Sequence, residues 1–141
     1  LNATITEAIK KAAAVIAEQF SASNIHLVER GMTAHDATAV AEILKSNTSV
    51  TKVNLNGNKE IGDEGAKALA EALKVNTTLK ELYLYGCGIG DGGAAALAEA
   101  LRSNTSLTEL GLSGNGFGEQ GEQLLRDAVA GREGFKLHLH V

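Results

Sequence analysis

Apolar and polar residues alternate over five short stretches: Ile25-His26-Leu27, Val53-Asn54-Leu55, Leu82-Tyr83-Leu84, Leu110-Gly111-Leu112 and Leu137-His138-Leu139. A period of two predicts short strands with one buried and one open face. Between them the period changes. Ala66, Leu69, Ala70 and Leu73 stand at i, i+3, i+4 and i+7, as do Ala94, Leu97, Ala98 and Leu101. That spacing places four apolar residues on one side of a helix. Val40, Ala41 and Leu44 give a looser copy, and Leu124, Leu125 and Ala128 the most degraded one.

The alternation of strand and helix is itself periodic. Ser46-Asn47-Thr48-Ser49-Val50, Val75-Asn76-Thr77-Thr78-Leu79 and Ser103-Asn104-Thr105-Ser106-Leu107 end 29 and 28 residues apart, and Phe135 falls 28 further on. The extra residue of the second unit lies in the turn Asn58-Lys59-Glu60-Ile61, where an insertion disturbs packing least. A strand-turn-helix unit of this length cannot bury its own apolar face, whereas stacked copies can. Each strand is regenerated by a helical return, so neighbouring strands are expected to be parallel.

The motif Leu-x-x-Leu-x-Leu-x-x-(Asn/Cys) reads Leu79, Leu82, Leu84, Cys87 and then Leu107, Leu110, Leu112, Asn115. With two valines it reads Val50, Val53, Leu55, Asn58. Over residues 24–141 the chain resembles the leucine-rich repeats of the ribonuclease-inhibitor subfamily. The tract Gly90-Asp91-Gly92-Gly93-Ala94-Ala95-Ala96-Leu97-Ala98-Glu99-Ala100-Leu101 is similar to repeats of NOD-like receptors. The resemblance implies an α/β class, right-handed solenoid, with parallel strands on the concave side and helices on the convex side. The same subfamily includes the tropomodulin C-terminal domain and the Ran GTPase-activating protein, so it implies no single activity. About four repeats, over 24–141, would end in an edge strand. Residues 1–23 carry Ile5, Ile9, Ala12, Ala13, Ile16 and Phe20 at helical spacings without a strand motif, and are expected to form an N-terminal capping helix.

Composition sharpens this picture. Leucine (18) and alanine (22) fill the recurring strand and helix positions, and 16 glycines serve the turns. The net charge of −4 argues against a nucleic-acid partner. Apolar stretches such as Ala12 to Ala17 fall far short of the roughly 20 residues of a membrane span. No basic-then-apolar leader opens the sequence, so a cytoplasmic protein is expected. The single cysteine excludes an internal disulfide framework.

Residues that suggest chemistry mostly find a place in the repeat. Cys87 aligns with Asn58 and Asn115, a structural position. Asn47, Asn76 and Asn104 each begin an Asn-x-Ser/Thr tripeptide, the acceptor for N-glycosylation. In register they mark the turn after each helix, where left-handed backbone geometry would favour Asn. Gly86-Cys87-Gly88-Ile89-Gly90 begins like a phosphate loop, yet no Lys-Ser/Thr pair follows. His138 and His140 point to one face of a strand but lack a third ligand for zinc. No metal, cofactor or catalytic set is therefore expected.

The open strand face is the expected working surface. Its rows hold Lys52, Glu81, Glu109 and Lys136; then His26, Asn54, Tyr83, Gly111 and His138; then Val28, Asn56, Tyr85, Ser113 and His140. Tyr83 and Tyr85 would anchor a protein partner, since tyrosine offers large area at small entropic cost. Asn54, Asn56, Glu81, Glu109, Ser113 and His138 would orient it. The expectation is a non-enzymatic interaction scaffold. The alternatives are an assembly or capping module acting through the arc ends, with a homodimer across the C-terminal edge strand, and a GTPase-activating regulator. An edge-mediated dimer would weaken on acidification as His138 and His140 gain charge.

Overall fold

The structure is a computed structural model in which residues 23–140 are described. The expected capping helix falls, but for Ser23, outside the described residues. Five strands alternate with four helices: β1 (Asn24–His26), α1 (Ala34–Leu44), β2 (Lys52–Asn54), α2 (Gly62–Leu73), β3 (Glu81–Tyr83), α3 (Asp91–Ser103), β4 (Glu109–Gly111), α4 (Glu119–Val129) and β5 (Lys136–His138). The strands form one sheet in sequence order, every neighbour parallel. No described helix is long and apolar enough to cross a membrane.

The observed register matches the sequence period. Asn24, Lys52, Glu81, Glu109 and Lys136 are aligned across the sheet, followed by Ile25, Val53, Leu82, Leu110 and Leu137. The first four members of that apolar row are buried, and Leu137, on the sheet-terminal strand, is half-buried. Leu27, Leu55, Leu84, Leu112 and Leu139 form a second buried row. The strands thus give the core a layer of branched aliphatics, and the helices meet it with Ala66, Leu69, Ala70, Leu73 and their counterparts Ala94, Leu97, Ala98 and Leu101. Alanine on this face lets helix and sheet approach closely. In α4 only Leu125 is fully enclosed, while Leu124 stays 38% exposed because the next turn of the solenoid does not cover it.

The turns follow the same logic. Gly57, Gly86 and Gly114 adopt left-handed geometry with φ of 80°, 58° and 75°. In the first unit Glu29 takes that place at φ 52°, where a Cβ costs about 1–2 kcal/mol. The inserted residue of the second unit is absorbed locally: Ile61 N–H donates to the Asn58 carbonyl at 3.1 Å, and Ile61 remains in the core.

Polar side chains stitch one repeat to the next. Asn58, fully buried, accepts from Arg30 N–H and Met32 N–H and donates to the Leu27 and Leu55 carbonyls. Asn115 repeats the pattern with Cys87 N–H, Ile89 N–H and the Leu84 and Leu112 carbonyls. Between them the Cys87 thiol donates to the Leu55 carbonyl at 3.2 Å, and burial pushes its pKa up to about 11. The thiol is thus a structural donor, poorly suited to attack as a thiolate.

A second set joins each helix end to its neighbour. Asn76 and Asn104 donate to the Leu44 and Leu73 carbonyls and accept from the backbone N–H groups two and three residues ahead. The left-handed geometry expected for them is not found: Asn104 lies at φ −82°. The amide, with its donor and acceptor ends, is what this turn requires. Asn76 and Asn104 are buried, so these two tripeptides are closed to glycosylation in the folded chain. A third set caps helices across repeats. The Asp63 carboxylate accepts from Gly90 N–H at 2.6 Å and Gly93 N–H at 3.0 Å, and Asp91 accepts from Gly118 N–H at 2.9 Å. Each acid sits at the positive end of the following helix. Only α1 carries its own capping box, between Thr33 and Asp36.

Candidate functional site

Pleating sends alternate side chains of β1 to β5 into the concave side. Glu81 and Glu109 face each other on adjacent strands, flanked by Lys52 and Lys136. Two like charges in register repel, and the surrounding groups offset this. Tyr83 donates its hydroxyl to Glu81 Oε1 at 2.7 Å, and His138 Nε2 lies 2.8 Å from Glu109 Oε2. The His138 hydrogen bond, ahead of that from Tyr83, holds the Glu109 carboxyl below the usual carboxylate range. Burial, reinforced by Glu81 and Glu109, pushes the Tyr83 phenol well above its ordinary value. Tyr85 is shifted the same way, chiefly by burial.

The tyrosines form one unit. Their ring centroids are 6.1 Å apart and the planes meet at 83°, an edge-to-face pair. Lys52 Nζ stands 5.3 Å from the Tyr83 ring centroid. Gly111 makes the arrangement possible, because a Cβ there would overlap the Tyr85 ring and approach Tyr83 Cδ1 to 2.9 Å. The rings therefore lie across β4, half-buried, with their positions set before any partner arrives.

The remaining expected contact residues divide. Asn54 and Asn56 are half-buried, and their side-chain oxygens accept from Asn56 N–H and Tyr85 N–H. Asn56 thereby positions the very residue that carries the second ring. Ser113 departs from expectation: it is 3% exposed and offers a partner no accessible hydroxyl. The alternation that brings it to this side says nothing of the neighbours that enclose it. His138 and His140 are not drawn into one clip, since His140 Nε2 instead lies 2.8 Å from Glu122 Oε1 on α4. Among the described residues no three His, Cys, Asp or Glu side chains converge as a metal site would require.

These pairings also change the expected effect of acid on the edge strand. A proton gained by His138 or His140 arrives beside a carboxylate, so it creates an attraction within the chain. The expected repulsion at this edge loses its basis.

One contact residue of the last unit is invisible to the motif. Arg132 stands 28 residues after Asn104, in the same place of the next unit. Its Nη1 donates to the Leu101 carbonyl at 3.1 Å and its Nη2 to the Leu107 carbonyl at 2.7 Å. The guanidinium also lies 4.7 Å from the Phe135 ring centroid. Matching positions across units, rather than residue types, would have found it.

Comparison with known proteins agrees with this architecture. Residues 46–70, 75–98 and 103–121 match the family described as Leucine Rich repeat. Over 72 residues, 50% of this chain, the sequence is 37% identical to NACHT, LRR and PYD domains-containing protein 5 of Bos taurus, and the match spans 6% of that protein's length. Among solved structures, Leiomodin-1 Actin-Binding Site 2 (ABS2) has the same fold, with a TM-score of 0.77 at 23% identity, covering 100% of this chain and 82% of that one. Repeat motif, sheet register and these likenesses coincide: the chain belongs to the leucine-rich-repeat proteins, with repeats resembling those of NOD-like receptors.

Proposed function

We propose that the chain is a non-catalytic scaffold that takes a protein partner on its concave face, with Tyr83 and Tyr85 as anchors. The observation that carries this reading is the preset edge-to-face tyrosine pair seated over Gly111. A partner meeting it finds aromatic area whose ordering cost has already been met in folding. Glu81, Glu109 and Lys52 around the rings supply polar contacts of both signs. The structural neighbour's designation as an actin-binding site supports protein binding by this architecture in general terms, and makes purified actin the first defined probe. Sedimentation with actin, followed by affinity capture from lysate, compares the native chain with Tyr83→Ala/Tyr85→Ala. The reading expects a partner retained by the native chain and lost, by tenfold or more, from a folded double variant. Undiminished binding by that variant would remove the concave face from consideration.

A second reading has one observation in its favour. β5 ends the sheet, so its outer edge is free to extend the hydrogen-bond ladder with another chain. Self-association through it predicts a dimer by light scattering that persists on acidification; a monomer over all accessible concentrations contradicts it.

A further inference from the structure

We infer that His138 and His140 form a proton-operated clasp, which fastens the last strand to the arc when the imidazoles are charged and loosens it when they are neutral. β5 is three residues long, and no helix follows it among the described residues. Phe135 and Leu137 are only partly buried, leaving Leu139 as its enclosed side chain. Backbone bonds tie it to one side alone, with Lys136 N–H donating to Thr108 at 2.9 Å and Leu112 N–H donating to His138 at 2.7 Å.

Against that modest attachment stand two histidine–carboxylate pairs that reach different parts of the fold. His138 Nε2 meets Glu109 Oε2 of β4 at 2.8 Å, and His140 Nε2 meets Glu122 Oε1 of α4 at 2.8 Å. One pair holds the strand to the sheet and the other holds its continuation to a helix. A neutral imidazole can keep a single hydrogen bond to a carboxylate, but only the imidazolium adds attraction between opposite charges. Imidazoles gain that charge in the range where few other side chains titrate.

The neighbouring groups make the two halves unequal. Around His138 the facing charges are Glu109, with Tyr83 and Glu81 of β3 beyond it, and Lys136 on the same strand. Around His140 they are Glu122 and Arg126, whose Nη2 lies 2.8 Å from the same Glu122 oxygen. Arg126 therefore competes for that carboxylate and disfavours a second cation. His140 is also the more exposed, at 72% against 38% for His138. The Glu109–His138 pair is the stronger half of the clasp.

Amide hydrogen exchange on the intact chain tests this without a partner. Exchange at Lys136 and Leu112 is followed by NMR at about pH 8 and about pH 5.5, corrected for the intrinsic pH dependence of exchange, with α2 amides as reference. Two partly exposed pairs lead us to expect protection at β5 to rise about fivefold at the lower pH, with α2 unchanged. In Glu109→Gln/Glu122→Gln the rise should vanish, and in His138→Gln alone most of it should. Equal protection at both pH values, a matching change in α2, or a rise that survives in the double variant would each overturn the clasp.

Discussion

Asn104 and Arg132 hold corresponding places in successive repeats and reach back to the same kind of target, a helix-end carbonyl 31 residues earlier. Asn104 is an interior member. Its amide is 4% exposed, donates to the Leu73 and Asn76 carbonyls, and accepts from the Ser106 and Leu107 N–H groups. Arg132 serves the last unit. It donates to the Leu101 and Leu107 carbonyls but, being a guanidinium, accepts nothing. An interior turn is enclosed, so both its donors and its acceptors must be matched inside the chain. At the open end water serves the groups that the side chain does not, and a longer side chain spans the distance left by a looser turn. The two residues show what burial demands of one position.

Asn104→Ala should have the largest effect, because it leaves several enclosed backbone groups without partners. We expect a loss of about 2–4 kcal/mol in urea unfolding. Arg132→Ala removes two bonds at a partly hydrated site, and about 1–2 kcal/mol is expected. Burial lowers the pKa of the Arg132 guanidinium, yet it stays charged throughout the accessible range, so its contribution should not vary from pH 5 to 9. Equal losses for both substitutions would break the contrast between enclosed and open turns.

Cys87 sharpens it from inside the arc. It shares a position with Asn58 and Asn115 but supplies one weak donor in place of a complete amide. Cys87→Ala should therefore cost about 1 kcal/mol, against 2–4 kcal/mol for Asn58→Ala. Because burial raises its pKa to about 11, the native thiol should react with a disulfide reagent at pH 8 only as slowly as the chain opens. Labelling at the rate of a free thiol would place Cys87 outside the core.

Much of this architecture is legible in the sequence because the solenoid repeats its local rules. The strand register, the buried helix faces and the structural role of Cys87 each follow from positions that recur every 28 or 29 residues. Contacts that cross from one unit to the next are harder to read. Asp63 caps the helix after its own, and no motif within a single unit announces that. Ser113 and Gly111 show the same limit on the concave face: alternation gives the direction of a side chain, while enclosure depends on the rings and strands beside it. The tyrosine pair was visible as two residues on one face, but its fixed geometry depends on a glycine in the neighbouring strand.

Glu109→Gln probes the open end with the smallest expected change. The folded-state pKa of Glu109 is depressed, first by His138 and then by Tyr83. A depressed carboxyl contributes stability above its unfolded value, about 4.3, and that contribution disappears as pH falls through the folded value. The native chain should thus exceed Glu109→Gln in stability near pH 6, and the gap should close below about pH 4. The carboxylate is 20% exposed and its histidine 38%, so solvent screening limits the gap to about 0.5 kcal/mol or less. Paired urea titrations at pH 3.5 and 6 measure it. A gap that is the same at both values would mean the substitution acts through packing beside Tyr83 and not through charge, and the open end would then resemble the interior after all.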